Sequence, residues 1–299
     1  RAADAGGYGL DAQWSDDFHH SVHALLTGEK EGYYEDFGGI WHLERSLRDV
    51  FVYDGRYSRH RRRRHGAPVS ETDASRFVVC IQNHDQIGNR MNGDRLASLV
   101  SFDELKVAAG LLLLSPYTPL IFMGEEMAET NPFLYFTSHS DQDLVEAVRE
   151  GRKAEFSSFS WKGEPPDPDD PNTFRRSRLD HSRRESGDGA VMFELYRKLI
   201  ELRRSHPALR ETDRRMVEVS TDGTRLDLLR RSGTGEDLLI RFNLGEREID
   251  RPANLAPVFD SDDPRWASET GSSRSESRIA PHSFVVFRTG SHEESGEER

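Results

Sequence analysis

The stretch Phe77-Val-Val-Cys-Ile-Gln-Asn-His-Asp85 decides the fold of this chain. Its residues 77 to 82 form a mainly apolar run that ends in polar residues, which is typical of a strand buried on both faces of a parallel sheet. A loop to Arg95 and a helix from about Phe102 to Leu114 follow. Pro119 to Met123 is a second short apolar run, again followed by polar residues. This recurring unit of strand, polar loop and helix predicts an α/β architecture with a parallel sheet.

The residues before this stretch repeat the same unit. Gly9 to Trp14 is predicted to form a strand, and an amphipathic helix is predicted from Phe18 to Leu26. Ser15, Asp16 and Asp17 are candidate N-caps for that helix. Residues 27 to 73 are predicted to hold a second short helix and a long connection that contains the basic run RYSRHRRRRHG at 56 to 66.

The residues after it predict a change of architecture. Residues 129 to 188 are predicted to form a long excursion with one helix near Asp141 to Arg152, and a helix is predicted from Val191 to Ser205, ended by Pro207. From Met216 onward, short alternating runs predict an antiparallel β domain. We therefore expect a parallel α/β region at 1–211, an antiparallel β domain at 212–288 and a disordered tail at 289–299.

Composition narrows the classes of function. The formal net charge of −12 argues against non-specific binding to nucleic acid or to an anionic membrane, and it favours a neutral substrate. The longest apolar stretch, Val107 to Met123, is too short and too interrupted to span a bilayer. The single cysteine, Cys80, indicates a reducing compartment, so a cytoplasmic location is expected. The start at Arg1, without a signal peptide, is expected to lie inside a longer chain.

The polar residues Asn83-His84-Asp85 suit sugar chemistry. In an α/β barrel, catalytic groups gather at the carboxyl ends of the strands, which is where this tripeptide lies. A glycosidic bond breaks through an oxocarbenium-like transition state, which a nearby carboxylate stabilises. The alternative is that Asn83 and Asp85 merely form a turn.

Four segments resemble the α-amylase superfamily of glycoside hydrolases, in the form found in trehalohydrolases that act on maltooligosyltrehalose. Residues 82–90 resemble the seventh-strand motif, residues 111–126 the eighth strand and residues 10–20 the sixth, while residues 132–141 match a further segment. The resemblance implies a partial (β/α)8 barrel, about strands six to eight, followed by a small antiparallel β-sandwich.

The resemblance also implies a reaction. A trehalohydrolase hydrolyses the α-1,4-glucosidic bond next to the terminal trehalose and retains the anomeric configuration, using an Asp nucleophile, a Glu acid/base and a transition-state-stabilising Asp that Asp85 matches. The other two carboxylates are expected before Arg1, so this chain alone is expected to be catalytically incomplete. No cofactor or metal is implied. Two alternatives stay open, namely a branching enzyme or amylase of the same superfamily and a non-catalytic carbohydrate-binding fragment. The oligomeric state also stays open, a homo-oligomer included.

Further substrate-binding candidates lie beside predicted strand ends or carry flat rings: Trp14, Asp16, Asp17, His20, Asn83, His84, Glu125, Glu126, Phe133 and Tyr135. The alternatives are N-capping for the aspartates and core packing for the rings. If Glu125 and Glu126 lie on an extended segment they point to opposite sides, so only one of them can face a sugar. His19 and His23 are four residues apart, but the sequence lacks a zinc-binding arrangement around them.

Overall fold

The computed structural model describes residues 3–69, 71–156, 164–267 and 275–289. The α-helices are α1 (Asp16–Thr27), α2 (Ile40–Asp49), α3 (His84–Gly88), α4 (Phe102–Leu114), α5 (Gln142–Phe156), α6 (Pro171–Arg176), α7 (Gly187–Ser205) and α8 (Pro207–Arg210). The strands are β1 (Gln13–Trp14), β2 (Asp54–Ser58), β3 (Arg63–Gly66), β4 (Phe77–Val79), β5 (Thr118–Pro119), β6 (Val217–Asp222), β7 (Arg225–Arg230), β8 (Asp237–Asn243), β9 (Ile249–Asp250), β10 (Ala256–Asp260), β11 (Arg278–Ile279) and β12 (Ser283–Thr289). Within these ranges, no helix combines the length and apolar character needed to cross a bilayer. Nearly all of the predicted disordered tail lies outside the described residues.

The predicted parallel sheet is confirmed, with shorter strands than expected. Its order is β1-β4-β5, with Gln13 paired to Phe77 and Val79 paired to Pro119. The prediction that the first strand begins at Gly9 is wrong, because Gly9 has a φ of 67° and left-handed backbone cannot continue a strand. The last predicted strand stops at Pro119, although Leu120 N still donates to Val79 O at 2.8 Å.

Helix α4 is the central element of the core. Its residues from Lys106 to Leu114 are all buried, and a capping box between Ser101 and Glu104 fixes its start. The helix packs against α7 and against β12. At Gly110 a Cβ atom would lie 2.6 Å from the ring of Phe284, so this close approach to the C-terminal sheet requires glycine.

Three segments differ from the sequence prediction. The basic run lies in a β2–β3 hairpin, not in an unstructured connection. The residues after Asn83 form helix α3, because the Asn83 side chain accepts from the backbone N–H groups of Asp85 and Gln86 and caps the turn. The excursion contains α6 as well as the predicted helix α5, and Pro207 opens α8 in addition to ending α7.

The C-terminal residues form the predicted antiparallel sheet. Its order is β10-β12-β8-β7-β6, and a two-stranded sheet of β9 and β11 accompanies it. One face, with Leu228, Ile240 and Phe284, joins the core shared with α4. The opposite face, with Val285 and Phe287, packs with Ile279 of β11, Ile249 of β9 and Leu255. The sequence did not predict β10, whose Pro257 is tolerated because β10 lies at the edge of the sheet.

Candidate functional site

Asp85 lies in the first turn of α3, at the end of the parallel strand β4. Its side chain is exposed, and its Oδ1 accepts from Asn89 Nδ2 at 2.8 Å. Asn83 is 2% exposed, and its Oδ1 accepts from Asp85 N at 2.8 Å and from Gln86 N at 3.1 Å. The side-chain oxygen of Asn83 is therefore used to hold the turn, while Asp85 and the exposed His84 are the members of the tripeptide that can meet a ligand.

Asp16 and Asp17 are neighbours with different surroundings. Asp16 is exposed, and its Oδ1 lies 3.4 Å from Gln86 Nε2, on the turn that carries Asp85. Desolvation raises the pKa of Asp16, and the nearby negative charge of Asp85 adds to this rise. Asp17 is buried, and its Oδ2 accepts from Val52 N at 2.7 Å and from Tyr53 N at 3.0 Å. Asp16 thus shares a surface with Asp85, whereas Asp17 ties α1 to the residues before β2.

His20 lies in a buried aromatic cluster on the next turn of α1. Its ring centre is 4.8 Å from that of Tyr33 and 5.1 Å from that of Phe37. Its Nδ1 is buried and has no hydrogen-bond partner among the described residues. Burial, with the charges of His23 and of Arg61, lowers the pKa of His20 to about 3, so the ring is neutral at pH 7.

The β2–β3 hairpin carries basic residues to the same surface. His60 packs edge-on to Tyr33 with ring centres 6.4 Å apart, and the charge of Arg61 lowers the pKa of Asp16. The sequence reading missed Tyr33, His60, Arg61 and Gln86. The sequence signal for this hairpin is the glycine at each of its ends, Gly55 and Gly66. Both glycines have positive φ, and at Gly66 a Cβ atom would lie 1.9 Å from Tyr53 O.

Glu125 and Glu126 lie in a 3-10 turn, and the expectation of an extended segment is wrong. Glu125 is buried, with its carboxylate 3.3 Å from Tyr196 Oη and 3.4 Å from Gln82 Nε2. Burial raises the pKa of Glu125 to about 8. Glu126 is half-buried, and its Oε2 accepts from Gly124 N at 2.9 Å. Both carboxylates therefore make internal contacts.

The three aromatic candidates differ in exposure. Trp14 is 47% exposed in β1, close in the chain to Asp16. Tyr135 is 42% exposed, and the Arg152 guanidinium lies 4.6 Å from its ring centre. Phe133 is half-buried against Gly88 and packs edge-on to Phe122 at 5.3 Å. Trp14 and Tyr135 therefore have free ring surface, while Phe133 supports the end of α3.

The described residues contain no group of three His, Cys, Asp or Glu side chains that could hold a metal ion. His19 uses both ring nitrogens internally, 2.7 Å from Ile81 O and 2.9 Å from Tyr34 Oη. His23 Nε2 lies 2.9 Å from Glu29 Oε2. These two histidines join α1 to its neighbours.

Comparisons with known proteins identify the relatives of this chain. Residues 213–286 match a family described as a domain of unknown function, DUF3459. A malto-oligosyltrehalose trehalohydrolase from Brevibacterium helvolum is 49% identical over 222 residues, covering 73% of this chain and 38% of the relative. The enzyme of the same name from Mycobacterium tuberculosis is 40% identical over 286 residues, covering 95% of this chain and 48% of the relative.

The chain belongs with the malto-oligosyltrehalose trehalohydrolases. It spans less than half of the length of these two curated relatives. A crystal structure of a candidate alpha amylase from Salmonella typhimurium superimposes with a TM-score of 0.81 at 35% identity, covering 94% of this chain and 47% of that one. The chain therefore shares the fold of the matching part of that structure.

Proposed function

We propose that the chain forms the part of a glycoside hydrolase that carries Asp85, and that the enzyme cleaves the α-1,4-glucosidic bond next to the terminal trehalose of maltooligosyltrehalose. One observation carries this proposal: in a relative of trehalohydrolases, an exposed aspartate lies in a capped turn at the end of a parallel strand. Active sites of barrel enzymes form at this end of the strands. The substrate is an uncharged oligosaccharide, as the acidic composition favours.

The proposed chemistry retains the anomeric configuration. An Asp carboxylate attacks the anomeric carbon while a Glu carboxyl donates its proton to the departing glycosidic oxygen. Water then hydrolyses the covalent glycosyl intermediate, with the same Glu acting as the base. In this scheme Asp85 stabilises the positive charge that develops on the sugar in both steps. The nucleophile and the acid/base are proposed to come from residues that precede this chain.

Around Asp85, we assign the exposed groups to sugar binding and the buried groups to support. His84 and Asp16 can donate to or accept from sugar hydroxyls, and Trp14 offers a flat ring for stacking on a sugar face. We also assign Tyr33, whose ring lies against those of His20 and His60, and the exposed Arg61 of the adjoining hairpin to the border of this surface. The support group consists of Asp17, Asn83, Glu125, Glu126 and Phe133.

The proposed fold is a (β/α)8 barrel of which β1, β4 and β5 are the last three strands. In the described part of the chain, the outer edges of β1 and β5 have no partner strand. Three apolar side chains near these edges are exposed, namely Leu10, Ile121 and Met123. Open edges and exposed apolar residues would be covered by the remaining strands of a closed barrel. We assign residues 1–211 to this barrel and 212–288 to the β-sandwich.

Product analysis tests the proposed function. The protein is expressed from its whole reading frame and incubated with maltooligosyltrehalose, and the products are separated by chromatography. Free trehalose and a shortened maltooligosaccharide are expected. Transfer of a glucan segment to form an α-1,6 branch would indicate a branching enzyme, and release of maltose without trehalose would indicate an amylase. Either result would contradict the proposal.

A further inference from the structure

The Asp85 carboxylate is linked to the last residues of its own helical turn. Asn89 follows Asp85 by four residues, and its Nδ2 donates to Asp85 Oδ1 at 2.8 Å. This contact selects one orientation of an otherwise exposed carboxylate, because the side chain must keep Oδ1 towards the end of α3. The orientation of Asp85 thus depends on how the Asn89 amide is held.

The Asn89 amide is held by Arg152 of α5. Arg152 Nη1 donates to Asn89 Oδ1 at 3.1 Å, and Arg152 Nη2 donates to Gly88 O at 2.8 Å. If the Asn89 amide were rotated by half a turn, its NH2 group would face the guanidinium and its oxygen would face the carboxylate. Both contacts would then be repulsive, so Arg152 fixes which end of the amide faces Asp85.

Arg152 is itself supported by the surrounding excursion. Its guanidinium lies 4.6 Å from the centre of the Tyr135 ring, a distance at which a cation and an aromatic face attract each other. Pro165 and Pro166 line the same small cleft beside Tyr135. A planar, bidentate group held on an aromatic face has little freedom to move.

We propose that Arg152 is a positioning residue for Asp85, acting through Asn89. This inference rests on the proposed function, in which Asp85 stabilises the transition state. It gives the excursion after β5 a specific part in the reaction, because helix α5 then controls the direction of the Asp85 carboxylate. The effect should fall on turnover more than on substrate binding, since Arg152 contacts Asn89 and Gly88 and acts on the Asp85 carboxylate only through them.

The test uses Arg152→Met and Arg152→Lys in the protein expressed from its whole reading frame. We expect Arg152→Met to lower kcat by about 10- to 100-fold with KM changed by less than about threefold, since small misplacements of a catalytic group cost this much. Arg152→Lys should recover part of the loss, because one donor and the positive charge return. The matched control is Arg149→Met on the same helix, whose guanidinium pairs with Asp167 and Glu146; it should leave both constants unchanged.

Asn89→Leu provides a second, independent variant that breaks the same link without touching α5. If the link is real, Arg152→Met added to Asn89→Leu should lower kcat little further than Asn89→Leu alone. An unchanged kcat in Asn89→Leu, or in a folded Arg152→Met, would overturn the inference. The proposed role of Asp85 would not be affected by that result. Loss of activity that appears only as a higher KM would overturn it as well. Full activity in Asp85→Asn would instead reject the role of Asp85 in the proposed reaction, while the product analysis tests the reaction itself.

Discussion

Lys106 Nζ lies 2.9 Å from the carbonyl oxygen of Ser261, which is 155 residues further along the chain. The same ammonium group donates to Trp266 O at 3.2 Å and pairs with the Asp103 carboxylate at 2.8 Å. Lys106 is only 1% exposed. A charged group in the core thus joins helix α4 to the loop that follows β10, and it links the parallel sheet region to the C-terminal region through buried hydrogen bonds.

Lys106→Met should destabilise the protein. Methionine fills similar space, but two buried carbonyl groups lose a charged donor, which costs about 2 kcal/mol. The expected result is a lower Tm in differential scanning calorimetry. Lys198→Met is the control, because Lys198 lies on the surface of α7 and pairs with the exposed Glu201. An equal Tm for the two variants would contradict a role for Lys106 in joining the two regions.

Glu125→Gln should stabilise the protein increasingly as the pH rises. Burial raises the pKa of Glu125 from 4.5 to about 8, and the groups facing it include Tyr196, Glu126 and Arg95. The folded state therefore binds more protons than the unfolded state between these values. The contribution of Glu125 to the stability of the folded state is fully present below pH 4.5 and is lost as the pH rises towards 8. Glutamine resembles the protonated acid and does not titrate.

The measurement is Tm against pH for Glu125→Gln and for the parent protein. The difference in Tm should grow from pH 5 to pH 8 and then stay constant. Glutamine can still donate to Tyr196 and accept from Gln82, so the variant should remain folded at every pH. Parallel Tm curves across this range would show that Glu125 is already ionised in the folded protein.

The elements that could be predicted are those whose pattern is local. Helix α4 is predicted from about Phe102 to Leu114, and the structure has the same bounds. Its apolar run and the residues that cap it, Ser101 and Glu104, are neighbours in the chain. The strands of the parallel sheet were predicted too long, since apolar residues continue past the point where the backbone pairing stops. The β2–β3 hairpin was missed, because its strands are basic and polar and have no alternating apolar face.

The residues of the candidate site also fall into those that a local sequence pattern reveals and those that it does not. Asp85 was identified because it directly follows an apolar strand. The arrangement around it depends on contacts between distant segments, such as Gln86 with Asp16 at 70 residues' separation and Arg152 with Asn89 at 63. No pattern in a single sequence gives these pairs. The two aspartates at the start of α1 also look alike in sequence, yet only Asp17 meets the backbone N–H groups of Val52 and Tyr53.

Arg61→Met should weaken substrate binding. Arg61 lies in the turn of the β2–β3 hairpin, and its charge reaches Asp16 and His20. Without it, we expect KM for maltooligosyltrehalose to rise about five- to tenfold, roughly 1 kcal/mol, with little change in kcat. Arg63→Met is the control, because Arg63 is the first residue of β3, two residues after Arg61, and its side chain is also exposed. Equal KM values in the two variants would show that the hairpin turn does not contribute to substrate binding.

Asp85→Asn should abolish most activity without unfolding the protein. Asparagine has the same shape and can still accept from Asn89 Nδ2, and the Asn83 cap involves only the backbone N–H of residue 85, so α3 should form normally. The negative charge that faces the developing oxocarbenium ion is lost, however, and kcat should fall by about 10²- to 10³-fold or more. Asp222→Asn, at an exposed position in the C-terminal sheet, is the matched control and should keep full turnover. Circular dichroism and Tm should be the same for both variants. Near-normal turnover in a folded Asp85→Asn variant would show that Asp85 does not stabilise the transition state, whatever the activity of the protein.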